Sequence, residues 1–165
     1  MLNPASPLAR LLDAPMRPGL VVWIGVRPLR RAPLQAVPVV GLTPEDGVVG
    51  DHYRSTTGGK RQVTIIGDLD LVAIGRTLGL DTATALQLRR NVVVSGVNLN
   101  ALRGRHFRLG SAVLEATGDC HPCSRMEEIL GPGGYNAVRG HGGITARVVT
   151  QGDVRIGDAM TRFPD

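Results

Sequence analysis

The stretch His106-Phe-Arg-Leu-Gly-Ser-Ala-Val-Leu-Glu-Ala-Thr-Gly118 decides the fold class. It reads as two strands about a Gly110-Ser111 turn. Directly after it, Gly118-Asp-Cys-His-Pro-Cys123 forms a tight loop and Ser124–Gly131 a short helix. Residues 131–143 read as a second glycine-rich loop. Residues 144–160 read as a hairpin with Gly152-Asp153 at its turn. A C-x-x-C pair set among antiparallel strands lies outside the βαβ setting of a thioredoxin-like site.

Working outward, Gly19–Val26 reads as a buried strand, followed by an Arg- and Pro-rich loop to Gln35. Residues 36–42 are apolar but carry Pro38, which predicts an edge strand. A long polar, Gly-rich stretch leads into the strand Gln62-Val-Thr-Ile-Ile-Gly67. Asp68 is expected to cap a helix with the face Leu69, Val72, Ala73 and Arg76, stopping at Gly79. Asp81 is expected to open a short helix ending near Arg89, before the β-branched strand of residues 91–96. At the N-terminus, Ser6 and Pro7 suit the start of a helix over residues 6–13. Leu8, Leu11 and Leu12 fall on one face of it, which predicts a lid packed on the domain. The strands do not alternate regularly with helices. The class is therefore mainly β, a mixed β-barrel with seven or eight short strands and three or four short helices.

The chain has 165 residues, 42% apolar and 20% charged, which excludes disorder and suits one ordinary domain. Gly and Pro together make one residue in five, too many for a helical bundle. The formal charge is +5, and Lys60 is the only lysine among 19 basic residues. Arginine forks grip phosphate or carboxylate in two places; genomic base composition explains the bias equally well. No basic run exceeds two residues and aromatics do not interleave with basic ones, so no nucleic-acid partner is expected. No apolar run approaches the length of a membrane span, and the N-terminus does not resemble a secretory signal. Two cysteines three positions apart fit a reducing, cytoplasmic setting.

The chemistry concentrates at residues 118–128. Ser124 and Glu127 have the spacing of a capping box, which places Cys123 just before the N-cap. Unpaired N–H groups and the positive helix end favour a thiolate there, with Arg125 adding charge. A packed, inert loop cysteine is the plain alternative. Zinc would need two ligands beyond Cys120 and Cys123. Disulfide exchange would use both thiols, and a single thiolate would bind a soft metal or carry sulfur. Elsewhere, Gly50–Arg61 sets His52, Arg54, Lys60 and Arg61 between glycines, as either an anion nest or a solvated loop. Arg139-Gly-His141 offers a cation and an imidazole. Arg89-Arg90-Asn91 precedes a buried strand and reads as polar groups at a barrel rim, although a solvated helix end explains Arg89 and Arg90 equally well.

In this order the stretches resemble the MOSC family, named for the C-terminal domain of molybdenum-cofactor sulfurase. The resemblance rests on Val21–Pro28, Gly50-Asp51-His52, Arg61-Gln62-Val63, Arg90-Asn91 through Leu99, Phe107–Gly110, Thr117-Gly118, Pro122-Cys123 and Gly157-Asp158. It implies a small stand-alone member with a pyruvate-kinase-like β-barrel over residues 1–165: an arm at 1–19 and a barrel core at 20–160. It also implies molybdenum cofactor as the bound group and Cys123 as metal ligand or sulfur carrier. His52, Arg54, Lys60, Arg61, Arg90 and Arg125 would hold the pterin phosphate, Asn91 would orient the loop, and His121 or His141 would supply a proton. The implied reaction is reduction of N-hydroxylated compounds. The alternatives are a Cys123 persulfide carrier and a cofactor-binding module without turnover. Partners would be a small-molecule substrate and a separate electron- or sulfur-donor protein, with a homodimer also expected. Many small members carry arginine three residues before this cysteine, where the present chain has Cys120.

Overall fold

A computed structural model describes residues 1–53 and 59–163. In chain order its elements are α1 (Pro7–Leu12), β1 (Gly19–Val26), β2 (Gln35–Ala36), β3 (Val39–Thr43), β4 (Gly47–Val48) and β5 (Val63–Gly67). Next come α2 (Asp68–Thr77), α3 (Ala85–Leu88), β6 (Val92–Ser95), a 3-10 turn (Leu99–Leu102), β7 (His106–Leu109) and β8 (Ala112–Asp119). The last are α4 (Ser124–Leu130), α5 (Gly134–Val138), β9 (Ile144–Thr150), β10 (Gly152–Arg155) and β11 (Ala159–Arg162).

The expected mixed β-barrel is present. Strands run β11-β7-β8-β9-β5-β6-β1, and β1 pairs with β11 to close the ring, while β2 extends from β1. Every pairing is antiparallel except β5 with β6, whose crossover carries α2 and α3. Alternation along the strands divides the core in two. Ile65, Val92 and Val94 point into the barrel with Phe107, Leu114 and Ile144. Ile66 and Val93 point outward against Leu71, Ile74, Leu88, Met126 and Val138 of the helices. Residues 92–94 are continuously apolar because both faces of β6 are covered.

Several local readings need correction. Pro38 stands just outside β3, and β3 is the centre of a small sheet ordered β10-β3-β4, not an edge. The expected hairpin over 144–160 does not form: β9 pairs with β5 and β8, while β10 leaves the barrel to pair with β3. Gly152 is not a turn residue but a packing one, since a β-carbon there would stand 2.4 Å from the Ala112 nitrogen. Helix α2 buries Leu71, Ile74 and Gly75, whereas Leu69 is 77% exposed, so its buried face is not the predicted one. Thr84, not Asp81, opens α3, through a capping box with Gln87. Residues 131–143 contain α5. The leucines of α1 are exposed, so the arm is not a packed lid. Asp13 pairs with Arg105 and Arg162, and Met16 rests on the core.

Candidate functional site

Parallel pairing of β5 and β6 brings the residues before each strand to one end of the barrel. Arg61 precedes β5, and Arg89-Arg90-Asn91 precede β6. The end of β1 adds Arg27, and the loop between β8 and α4 adds Cys120 to Cys123.

Asn91 ties this end together. It is buried; its Oδ1 accepts from N and Oγ1 of Thr64 at 3.2 and 3.0 Å. Its Nδ2 donates to Gly25 O at 3.3 Å and to Oδ2 of Asp51 at 3.0 Å. Asp51, also buried, accepts from the backbone N–H of Arg27 and of Tyr53, each at 3.1 Å. Asn91 thus ties the Gly-Asp-His loop to β1 and β5.

Arg90 is buried beneath the cysteine loop. Its Nε donates to Gly142 O at 2.8 Å, Nη1 to Leu88 O and Nη2 to Cys120 O at 3.4 Å. Burial lowers its pKa, with opposing pulls from the thiols and from Arg61 and Arg27. The adjacent Arg89 is partly exposed and adopts a left-handed backbone, φ 56°, at the end of α3. Burial lowers its pKa too, and Arg27, Arg125, Cys123 and Asp51 all lie within its electrostatic reach. A side chain other than Gly held at positive φ is a strained feature of the kind that collects at functional sites.

Both cysteines are free: Cys120 is buried and Cys123 exposed. Arg61 Nη2 donates to Cys120 Sγ at 3.9 Å. Residues 120–123 run without a turn. The N-cap of α4 is Cys123 itself, not Ser124. The expected capping box is absent because Glu127 accepts from the N–H groups of Gly133 and Tyr135, both at 2.8 Å. Those bonds lower the Glu127 pKa and fasten α4 to α5. Gly142 is required where the loop crosses it: a β-carbon would stand 2.0 Å from Cys120 O.

Cys123 therefore lies within electrostatic reach of Arg89 and Arg90, Arg125 and Arg27 within reach of Arg89, and Arg61 within reach of Arg90. His52 joins through Arg27, whose Nε donates to His52 Nδ1 at 3.1 Å. Lys60 is exposed, with its carbonyl bonded by Thr117. Arg54 lies outside the described residues. His141 is placed differently, with Nδ1 3.0 Å from Oδ1 of Asp70. Asp70, with Asp68, Asp119, Arg103 and His121, lines a cavity of about 610 Å³ on the other side of the loop. Among the described residues, no three His, Cys, Asp or Glu side chains gather to hold a metal. The sequence alone assigns no role to Arg27 or Asp51. The signals available were an arginine closing an apolar run and an acid beside the candidate histidine.

The family model for the MOSC domain matches residues 52–161, a span holding the cysteine loop and most of the basic residues around it. The chain belongs to the MOSC family. Among solved structures, this MOSC protein is similar to YuaD of Bacillus subtilis, with 18% identity and TM-score 0.76, covering 87% of this chain and 94% of that one. It is also similar to YiiM of Geobacillus stearothermophilus, with 16% identity and TM-score 0.70, covering 88% and 75%. YiiM of Escherichia coli matches with 17% identity and TM-score 0.66, covering 88% and 70%. At these identities the likeness is one of fold. No curated protein matches the chain. Among the described residues, no helix is long and apolar enough to cross a membrane.

Proposed function

We propose that this MOSC protein binds molybdenum cofactor through Cys123 and reduces N-hydroxylated compounds. The observation that carries the reading is an exposed thiol within electrostatic reach of Arg89 and Arg90, with Arg61 on the neighbouring Cys120 thiol and Arg27 within reach of both arginines. The donor set suits the group: a soft thiolate for the metal, and guanidinium forks for a pterin phosphate.

In this reading Cys123 holds the metal. Arg27, Arg61, Arg89 and Arg125 face the phosphate, with Lys60 next to Arg61 in the chain. Arg90 braces the loop from below through the carbonyls of Leu88, Gly142 and Cys120. Asn91 holds the loop of His52 in place. His121, on the cysteine loop itself, would hand a proton to the departing hydroxyl; His141, bonded to Asp70 across the loop, stands apart from the thiol. When bound, the cofactor supplies a two-electron redox centre for N–O cleavage. The electrons come from a separate donor protein, and the oxygen leaves as water.

Elemental analysis of protein from a host that makes the cofactor tests this. Stoichiometric molybdenum, lost in Cys123→Ser, is expected. Equal molybdenum in both proteins would remove Cys123 from the metal. None in either, after gentle purification, would favour a second reading that the exposure of Cys123 also supports. There the thiolate takes sulfane sulfur from a donor persulfide, leaving the donor as a thiol. A mass gain of one sulfur on Cys123 after incubation with a cysteine desulfurase and cysteine identifies that case.

A further inference from the structure

Nδ1 of His52 lies 3.1 Å from Nε of Arg27 and 3.1 Å from Oδ1 of Asp51. These contacts require opposite proton states of one atom. A guanidinium keeps its hydrogens at any working pH, so Arg27 Nε–H donates and Nδ1 must be bare. The ring is then neutral, with its hydrogen on Nε2. A carboxylate only accepts, so Asp51 can bond Nδ1 only when Nδ1 carries hydrogen. Asp51 is in no position to adjust, being buried and held by Arg27 N–H, Tyr53 N–H and Asn91 Nδ2. The charged groups around the ring are Asp51 on its own loop and Arg27 at the end of β1. Arg89, at the end of α3, lies within reach of both.

We infer that His52 is a proton-operated latch on Arg27. The neutral ring retains the guanidinium; the protonated ring donates Nδ1–H to Asp51 and releases Arg27 to bind an oxyanion such as a phosphate monoester. His52 is a positioning residue in this scheme. The inference refines the proposed cofactor site, because the released guanidinium points the basic cluster toward the same phosphate.

Sulfate is the probe, since its charge does not change in the relevant range. Its affinity for the purified protein, measured by calorimetry, should rise about tenfold as the pH is lowered from about 8 to about 5.5. His52→Ala removes the latch and should bind tightly at both pH values. His52→Gln keeps an acceptor for Arg27 and should bind weakly at both. Weak, pH-independent binding by His52→Ala would mean that His52 acts by its charge alone, and would overturn the latch. So would a wild-type affinity that does not vary with pH. Nitrogen-15 resonances of the wild-type ring give a check independent of any variant. A bare Nδ1 at pH 8 is expected, and hydrogen on Nδ1 would overturn the assignment. The sulfate and molybdenum measurements fail separately. A working latch in protein without molybdenum removes only the cofactor reading. Molybdenum in protein whose sulfate binding ignores pH removes only the latch.

Discussion

The two sides of the loop from Asp119 to Cys123 carry opposite charge. On one side Cys123 lies within electrostatic reach of Arg89 and Arg90, which in turn sense Arg27, Arg61 and Arg125. On the other, the cavity is lined by Asp68, Asp70 and Asp119, with Arg103 paired to Asp119. The net charge of +5 gives no hint of this division. Its origin is the parallel pair: residues before β5 and β6 are basic, while those after β5 open α2 with acids. Acids in a first helical turn are favoured by the helix dipole. One crossover therefore builds two chemically distinct surfaces a few residues apart.

The largest effect is expected where one contact supports both sides. Gly142→Ala would press a β-carbon into the Cys120 carbonyl, costing about 3 kcal/mol or more by urea denaturation. A loss under about 1 kcal/mol would show that the loop moves aside. Next comes the contrast between adjacent arginines. Arg90→Ala should cost roughly 2–4 kcal/mol, because three carbonyls lose their donor. Arg89→Gly relieves positive φ and should gain up to about 1 kcal/mol while weakening sulfate binding. Equal stability losses in the two would abolish the distinction between brace and receptor. Asp70→Asn, on the acidic side, should cost less than about 1 kcal/mol and leave molybdenum content unchanged. Loss of metal there would mean the two sides act as one site.

The smallest effect concerns Glu127, which belongs to neither side. Its pKa is lowered from 4.5 by the N–H groups of Tyr135 and Gly133. A lowered carboxylate stabilises the fold above the unfolded-state value, and that contribution is lost as pH falls through the lower folded-state value. Glu127→Gln should therefore flatten the acid end of the stability profile and leave neutral-pH metal binding intact.

The hairpin at residues 106–118 made the barrel legible, because strand alternation and turn chemistry are local. Helix faces were less so. In α2, residues 69, 72, 73 and 76 form one stripe and residues 71, 74, 75 and 78 another, and both carry apolar side chains. Gly75 decides between them only through a close approach to Thr82 that no local pattern reveals. Gly152 misled for the same reason, resembling a turn while serving a contact. Cys123, Arg61, Arg90 and Asn91 were legible from short motifs. Arg27 and Asp51 were not, because the contacts that tie them to each other, to His52 and to Asn91 include spans of 24, 25 and 40 residues that no local pattern reveals. Glu127 has the spacing of a cap, yet it bonds backbone ahead of it, where α5 begins.

Closure of the barrel joins Gly19 and Leu20 to Met160 and Ala159. The first and last barrel strands must meet, with almost the whole chain as the intervening loop. Such distant pairing is slow, because the entropy of closing the loop is lost before the contact returns anything. During synthesis, β1 emerges early and waits with one hydrogen-bonding edge bare until residues 159–162 leave the ribosome. An open sheet edge therefore persists from the synthesis of β1 until β11 arrives, and the window for mispairing closes only then.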